Sequence, residues 1–517
     1  MPNRKIMDVD VLAVELQKLK AGGKKIIHCQ GVFDLVHLGH IRYLGIAKSL
    51  GDVLAVTVTT DKYVNKGPGR PVFNQELRAE AVAALECVDY VAINHWPTAV
   101  ETIKRLKPDI FVYGGEYTQK AGDETRSGER EAVESIGGKI HFTDEFTFNS
   151  GQLETTFSSS SLLNEHFGIY PEQTRKFLRD LRARYTADEV VEKLRGLKDL
   201  RVLVIGETIL DQYCFVFPLG KSPKGNHITA RFLREEVHAG GILACANHLA
   251  NFCGAVELIT AVGDDGNEEF VRSSLKPNIN LCLFHSETPT IVKRRFVDSS
   301  FLQKLFELET IDDRPSPVLE SQIETRLGKL LSNRTYDLVL VLDYGHGLLT
   351  PSLIKLLCGQ RHFLAVNAQT NTANMGFNFI TKYPRANYFC LDDRELRLAL
   401  QDNYSDIRYL IMNLAARSSL PLTESIAITR GHLGTTTYDV QSGESFEAPV
   451  LSQKIVDTTG AGDAFLALTA PCVAKGFPMD LVAFIGNAAG ALAVGYLGNK
   501  SSIEAAPFFK FITALLK

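Results

Sequence analysis

The run Asp457-Thr458-Thr459-Gly460-Ala461-Gly462-Asp463, followed by the small apolar stretch Ala464-Phe465-Leu466-Ala467, has the composition of a glycine loop that opens a helix. Gly460 and Gly462 lack a Cβ, so the backbone N–H groups of Thr459, Gly460, Ala461 and Gly462 can approach an anion closely. A helix that starts there adds unpaired donors and the positive end of its dipole, a setting suited to a transferring phosphoryl group. Asp463, in the first turn, is then placed to orient a hydroxyl beside that phosphate and to take its proton.

A second chemistry-bearing set lies near the N-terminus. Gly31-Val32-Phe33-Asp34-Leu35-Val36-His37-Leu38-Gly39-His40 follows the apolar stretch Ile26-Ile27-His28-Cys29, and Ile41, Leu44, Ile46 and Ala47 supply a helical apolar face after it. His37 and His40 are therefore predicted on a strand-to-helix turn, with Gly39 leaving room for a phosphate between the imidazoles. Histidines without cysteine or carboxylate partners at metal-ligand spacing argue against zinc. Two imidazole donors at a helix start suit charge stabilisation at an α-phosphate instead. Further along come the basic, turn-rich loop Lys66-Gly67-Pro68-Gly69-Arg70-Pro71, Arg78 on the next helix, Gly114 after the strand Ile110–Tyr113, and a hydroxyl cluster with Ser158, Ser159 and Ser160 ahead of Leu162. Such a cluster at a helix start offers donors to nucleotide phosphates.

Both strings resemble known families. The N-terminal string resembles the HxGH signature of the nucleotidylyltransferase superfamily, and the serine cluster resembles its second signature, over about Lys24 to Phe167. That resemblance implies catalytic roles for His37 and His40, and contacts to nucleotide or phosphates from Gly31, Phe33, Gly39, Lys66, Arg78, Gly114, Ser158, Ser159 and Ser160. The Gly460–Asp463 string is similar to that of the ribokinase-like (PfkB) sugar kinases, where the matching aspartate is the catalytic base. It implies an ATP side at Thr429, Gly431 and Thr459 to Gly462, and sugar contacts from Asp211, Gly240, Gly241 and Asn247. Lys293, Arg295 and Lys224 are expected to hold an anionic group of the substrate, and Asp392 and Glu395 to act indirectly on Mg²⁺.

A sugar kinase joined to a nucleotidylyltransferase resembles the bifunctional family that makes nucleotide-activated heptose. There the kinase phosphorylates a heptose 7-phosphate at C1, and the transferase joins the heptose 1-phosphate to AMP. Here the two halves stand in the opposite order. The resemblance implies ATP as substrate, ATP favoured over CTP in the transferase half, Mg²⁺ as cofactor and a homodimer. Several positions depart from the heptose pattern: Ser222-Pro223-Lys224-Gly225-Asn226 on the sugar side, Ile242-Leu243-Ala244 after the glycine pair, His346 in place of a lysine, Asn367-Ala368-Gln369 in place of Asp-Pro-Lys, and Asp392-Asp393-Arg394-Glu395 on the metal side. The alternatives are a CTP-dependent cytidylyltransferase of a polyol or sugar phosphate with a divergent or inactive kinase half, and a nucleotide-binding assembly module without turnover.

Positioning these loops takes two α/β cores. At 517 residues the chain exceeds one core. A Rossmann-like nucleotidylyltransferase domain is expected over 1–167, a helical linker over 168–200 and a ribokinase-like α/β domain over 201–517. In the last, apolar strands at Arg201–Gly206, Glu257–Val262, Leu338–Leu342, Phe363–Val366 and Ile426–Thr429 alternate with helical patterns. Hydrophobic content of 45%, charged content of 22% and a net charge of −4 fit a globular protein without nucleic-acid or membrane bias. Nine cysteines without a C-x-x-C pair, and no apolar signal core at Met1–Lys5, point to the cytoplasm. Leu481 to Gly498, which carries Asn487, is expected as a buried helix rather than a membrane span.

Overall fold

The computed structural model describes residues 4–64, 66–67, 70–114, 124–143, 170–416, 423–452 and 455–517, so Ser158, Ser159 and Ser160 lie outside the described residues. The chain divides into two compact units, Met1–Pro171 and Glu172–Leu516.

In the first unit, β1 (Ile26–Gly31), β2 (Val53–Thr59), β3 (Tyr90–Asn94), β4 (Ile110–Tyr113) and β5 (Lys139–Phe142) form a parallel sheet in the order β3-β2-β1-β4-β5. Every residue of β2 is buried, as expected of a parallel strand covered on both faces. The strand order reverses at β1, where His28 pairs with Phe111 and Cys29 with Val112 of β4. The carboxyl ends of strands at such a reversal leave a crevice, flanked here by Gly31–Phe33 and Gly114.

The second unit holds two sheets. β6 (Arg201–Gly206), β9 (Ala255–Gly263), β10 (Ile279–Ser286), β13 (Leu338–Asp343), β14 (Leu364–Ala368), β15 (Tyr388–Asp392), β16 (Ser425–Thr429), β17 (Thr435–Asp439) and β18 (Ser445–Ala448) make a sheet in the order β10-β9-β6-β13-β14-β15-β16-β17-β18. All pairings through β16 are parallel, and β17 and β18 turn antiparallel at the edge. One face is covered by the helices Pro317–Asn333, Pro351–Cys358, Asp393–Leu400 and Ile407–Ala416. The helices Gly241–Ala250 and Ala461–Ala474 also pack on this sheet, and Met479–Ala493 packs on Ala461–Ala474. β7 (Thr208–Lys221), β8 (Ile228–Gly240), β11 (Ile291–Asp298) and β12 (Lys304–Thr310) form a separate four-stranded sheet in the order β12-β11-β7-β8.

Two features differ from the sequence-based expectation. The helix Glu172–Arg182, expected within a linker over 168–200, belongs to the second unit. It buries Thr174, Leu178 and Leu181 within the second unit, and the Arg182 guanidinium donates to the Leu515 carbonyl at 3.1 Å. Its charges occupy one face while an apolar stripe docks, the usual pattern of a surface helix. The expected helix over Leu481–Gly498 runs instead from Met479 to Ala493, and it is almost wholly buried. Among the described residues, no helix is long and apolar enough to cross a membrane.

Candidate active sites

Asp463 is 8% exposed in the first turn of the helix Ala461–Ala474. Gly460 caps that helix at φ +82, and a Cβ there would come within 2.9 Å of the Asn499 amide carbon, so the loop needs glycine for both conformation and space. The Tyr344 hydroxyl (3.0 Å) and the Gln369 amide (3.1 Å) both donate to Asp463 Oδ1. Both bonds fall on Oδ1, which leaves Oδ2 without a hydrogen-bond donor among the described residues. Burial raises the carboxyl to about 6 against the lowering effect of the Tyr344 bond, which places it near the optimum for a general base.

The loop-side partners come from three strand ends. Tyr344 follows β13, Gln369 follows β14, and Glu207 lies between β6 and β7. Glu207 is buried and accepts from the backbone N–H groups of Tyr344 (3.0 Å) and His346 (3.1 Å). Its carboxyl is pushed up to about 7 by burial and by Asp343. His346 is buried, and burial with the nearby Lys293 lowers it to about 4, so it sits there neutral. Lys382 lies 2.6 Å from Asp343, supplying a cation beside the segment where the heptose pattern has its lysine at His346.

The four-stranded sheet covers this region with a polar face. Asp211 is buried and is bound by the Arg295 guanidinium and by Asn499 Nδ2 (2.9 Å). A Cβ on Gly240 would fall 2.8 Å from the Asp211 carboxyl carbon, and Gly241 takes φ +53, so the glycine pair admits the Asp211 side chain. Strand register pairs Lys293 with Glu309 and Arg295 with Glu307. Lys293 accordingly forms an ion pair with Glu309 at 3.3 Å, and Arg295 with Glu307 and Asp211. Lys293 and Arg295 are therefore at the site, each already matched with a carboxylate.

Two expectations for this unit change. Asn247 spends its side chain on the backbone, donating to the Ser274 carbonyl (2.9 Å) and accepting from Lys276 N–H (3.0 Å), so it anchors a loop rather than meeting a sugar. Lys224 is exposed at the tip of the β7–β8 hairpin. At about 3.3 Å per residue it stands roughly 30 Å along the strand from Asp211, too far to share its pocket. Asp392 and Glu395 form a capping box on the helix Asp393–Leu400, with Glu395 N–H donating to Asp392 Oδ1 (2.6 Å) and Asp392 N–H to Glu395 Oε2 (2.8 Å). The other Glu395 oxygen accepts from Thr370 N–H (3.1 Å), and burial with Asp392 pushes the carboxyl up to about 8. Both Glu395 oxygens thus accept from backbone N–H groups, and among the described residues no group of three or more His, Cys, Asp or Glu could hold a metal ion directly. Thr429 closes β16 with its hydroxyl on the Leu391 carbonyl (3.4 Å), and Gly431 starts a short 3-10 turn at φ +53.

In the first unit, His37 caps the helix Leu38–Ser49, and its Nδ1 accepts from Gly39 N–H at 3.1 Å. That bond puts the ring proton on Nε2, which makes Nε2 the donor edge of a neutral imidazole. His40, one turn on, stacks on His37 with ring centroids 4.0 Å apart. Phe33 is buried, takes φ +51 and meets the His40 ring edge-on at 5.1 Å, so it packs against the catalytic-turn histidine. Asp34, unassigned from sequence, is buried and gathers Val72 N–H (2.7 Å), Phe73 N–H (3.2 Å) and Arg70 (3.1 Å), tying the basic loop to the histidine turn. Lys66 and Gly67 belong to that loop, and Gly114 follows β4 beside the crevice.

Arg78 is not placed to grip a triphosphate. It is fully buried and donates to the carbonyls of Phe73 (2.9 Å), Val32 and Thr59 (2.7 Å) and to Asp61 (2.6 Å). It staples the loops after β1 and β2 together. Arg78→Met is expected to destabilise the first unit by about 2–4 kcal/mol, because it strips donors from several backbone carbonyls at once. Arg78→Lys should recover little, since an ammonium lacks the planar fork. Thermal unfolding of both variants checks this, and wild-type melting of Arg78→Met would contradict the stapling role.

The architecture is that of two α/β folds in one chain: a parallel sheet with an HxGH turn at its strand reversal, and a ribokinase-like sheet with a glycine loop at a helix start. Comparisons agree. Residues 28–165 match the cytidylyltransferase-like family and residues 381–506 match the pfkB family of carbohydrate kinases. The bifunctional protein HldE of Pelobacter propionicus is 44% identical over 138 residues, 26% of this chain and 27% of that protein. HldE of Geobacter metallireducens is 37% identical over 171 residues, 33% of this chain and 32% of that one. The chain thus matches about a quarter to a third of the length of these relatives. The phosphofructokinase-2 of Escherichia coli, crystallised with potassium, superposes with a TM-score of 0.50 at 14% identity, covering 62% of this chain and all of that one, a likeness of fold.

Proposed function

We propose that the chain is a bifunctional enzyme of nucleotide-sugar formation. In the second unit the γ-phosphoryl group of MgATP passes to a sugar hydroxyl, at the anomeric carbon of a heptose phosphate or a related sugar. Asp463 Oδ2 receives the hydroxyl proton, the new O–P bond forms, and ADP leaves. The N–H groups of Gly460 and Gly462 face the charge that develops on the phosphoryl oxygens, while Ala461 N–H donates to the Thr458 carbonyl at 3.3 Å and holds the loop. In the first unit an oxygen of the sugar 1-phosphate attacks the α-phosphorus of a nucleoside triphosphate, ATP before CTP, and pyrophosphate departs. His37 Nε2–H and His40 donate to the α-phosphate oxygens.

The observation that carries the kinase reading is Asp463: buried at a helix start, raised to about 6, with both bonds on one oxygen. Mg²⁺ would enter with the nucleotide, bridging its phosphates. Pyrophosphate release from each of the four nucleoside triphosphates, with a sugar 1-phosphate as acceptor, tests the transferase reading. Release with ATP supports it, release with CTP alone favours the cytidylyltransferase alternative, and release with none defeats it.

We further infer a homodimer built on the outer face of the four-stranded sheet. By strand alternation Leu308, Phe306, Val237 and Phe232 lie on the face opposite Asp211, and Phe306 and Phe232 are each 59% exposed. An apolar patch of this kind on a sheet marks an association surface. Light scattering should give twice the chain mass, with Phe306→Asp/Phe232→Glu shifting it to one; a monomeric wild-type chain would contradict the assignment.

A further inference from the structure

β11 and β12 pair regularly from Val292–Thr310 to Phe296–Phe306, but the next pair is Val297 with Lys304, not Leu305. Leu305 is the extra residue of a bulge, and the shift turns Lys304 to the face that carries Lys293 and Arg295. Bulges of this kind re-aim a side chain, and they cluster beside active sites. Without the shift, Leu305 would occupy that face and Lys304 would point outward.

The re-aimed ammonium meets the start of the glycine loop. Lys304 Nζ lies 2.8 Å from Asp457 Oδ1 and 2.6 Å from Thr459 Oγ1. Asp457 is a buried hub: Oδ1 also accepts from Thr459 N–H (3.1 Å) and hydroxyl (3.0 Å), and Oδ2 from Gly498 N–H (3.0 Å) and the Tyr213 hydroxyl (3.2 Å). Burial acts to raise its pKa, yet Lys304 and the Thr459 donors hold it below the ordinary carboxylate value. Thr459 directly precedes Gly460, the cap of the helix bearing Asp463. No other described lysine or arginine pairs with Asp457.

We propose that Lys304 is a positioning residue of the phosphoryl-transfer site, carried by the four-stranded sheet and holding the Asp457–Thr459 segment so that the loop's N–H groups converge on the transferring group. The inference rests on the kinase reading of the second unit and adds to it that the loop is completed by the covering sheet. The loop's geometry, and with it the transition-state contact, depends on a cation from 153 residues earlier in the chain.

Amide hydrogen exchange on the full-length chain tests this without any substrate. Lys304→Met should speed exchange across Thr459–Asp463 about tenfold or more, while β16 and the helix Met479–Ala493 keep wild-type rates. With MgATP and the sugar that the wild type turns over, Lys304→Met should lower kcat by about 10²-fold, the scale of losing one preorganised contact, with KM for ATP within threefold. Lys304→Arg should recover part of kcat, and ethylammonium should rescue Lys304→Ala saturably. Unchanged loop exchange in Lys304→Met overturns the inference, as does a kcat near wild type. Melting lowered in step with activity and without amine rescue also overturns it, since that is what a purely structural residue would give. The kinase reading stands or falls separately on Asp463→Asn.

Discussion

Asp463→Asn is expected to lower sugar phosphorylation by about 10²–10⁴-fold, the range for loss of a positioned general base. Asparagine keeps an oxygen for the Tyr344 and Gln369 donors, so the site should stay assembled while proton acceptance is lost. Because the carboxyl sits at about 6, wild-type kcat/KM should fall as pH drops below that value. The same variant carries an opposite effect on stability. A carboxyl raised from 3.8 to about 6 binds its proton more tightly in the folded state. Its stabilising contribution is present below about pH 4 and is lost as pH rises through 6, a difference of about 3 kcal/mol. Asp463→Asn cannot ionise, so it should melt above wild type at pH 8, with the gap closing toward pH 4. Paired activity and melting measurements on one preparation check both signs. Wild-type turnover in the variant would remove Asp463 from the base role.

The second large effect concerns the histidine turn. His37→Ala and His40→Ala are each expected to slow nucleotidyl transfer by about 10²–10³-fold, the scale of losing one preorganised donor at a developing charge. Kinase turnover should be unaffected, because the histidines belong to the other compact unit. His37→Ala should also weaken the helix Leu38–Ser49 by about 1 kcal/mol, since its ring accepts the cap hydrogen bond from Gly39. Pyrophosphate release with a sugar 1-phosphate, measured beside ADP release with a free sugar, separates the effects. Equal loss of both activities in His40→Ala would contradict independent sites.

Much of this was legible because short strings carry it. Glycine at Gly460 and Gly241 is imposed by positive φ, and the strand–turn–helix around His37 and His40 follows from local apolar patterning. What escaped the sequence depends on contacts distant along the chain. Tyr344 and Gln369 reach Asp463 from 119 and 94 residues away, and neither has a local pattern to announce it. Asn247 and Arg78 sit where family motifs suggest ligands, yet backbone carbonyls and N–H groups close by claim their side chains. Lys304 faces inward only because of a bulge, and alternation counted from the sequence points it the other way.

The measurement that bears most directly on a two-step enzyme is a mass-spectrometric product screen. The full chain would be incubated with ATP, CTP and Mg²⁺ over a panel of heptoses, hexoses and pentoses, free and phosphorylated, with Asp463→Asn and His40→Ala in parallel. The account predicts a nucleotide sugar from the wild type and an accumulated sugar 1-phosphate from His40→Ala. Asp463→Asn should give no product unless the sugar 1-phosphate is supplied, which should restore the nucleotide sugar. Nucleotide sugar formed by Asp463→Asn from the unactivated sugar, or no phosphorylated product from the wild type with any member of the panel, would contradict it.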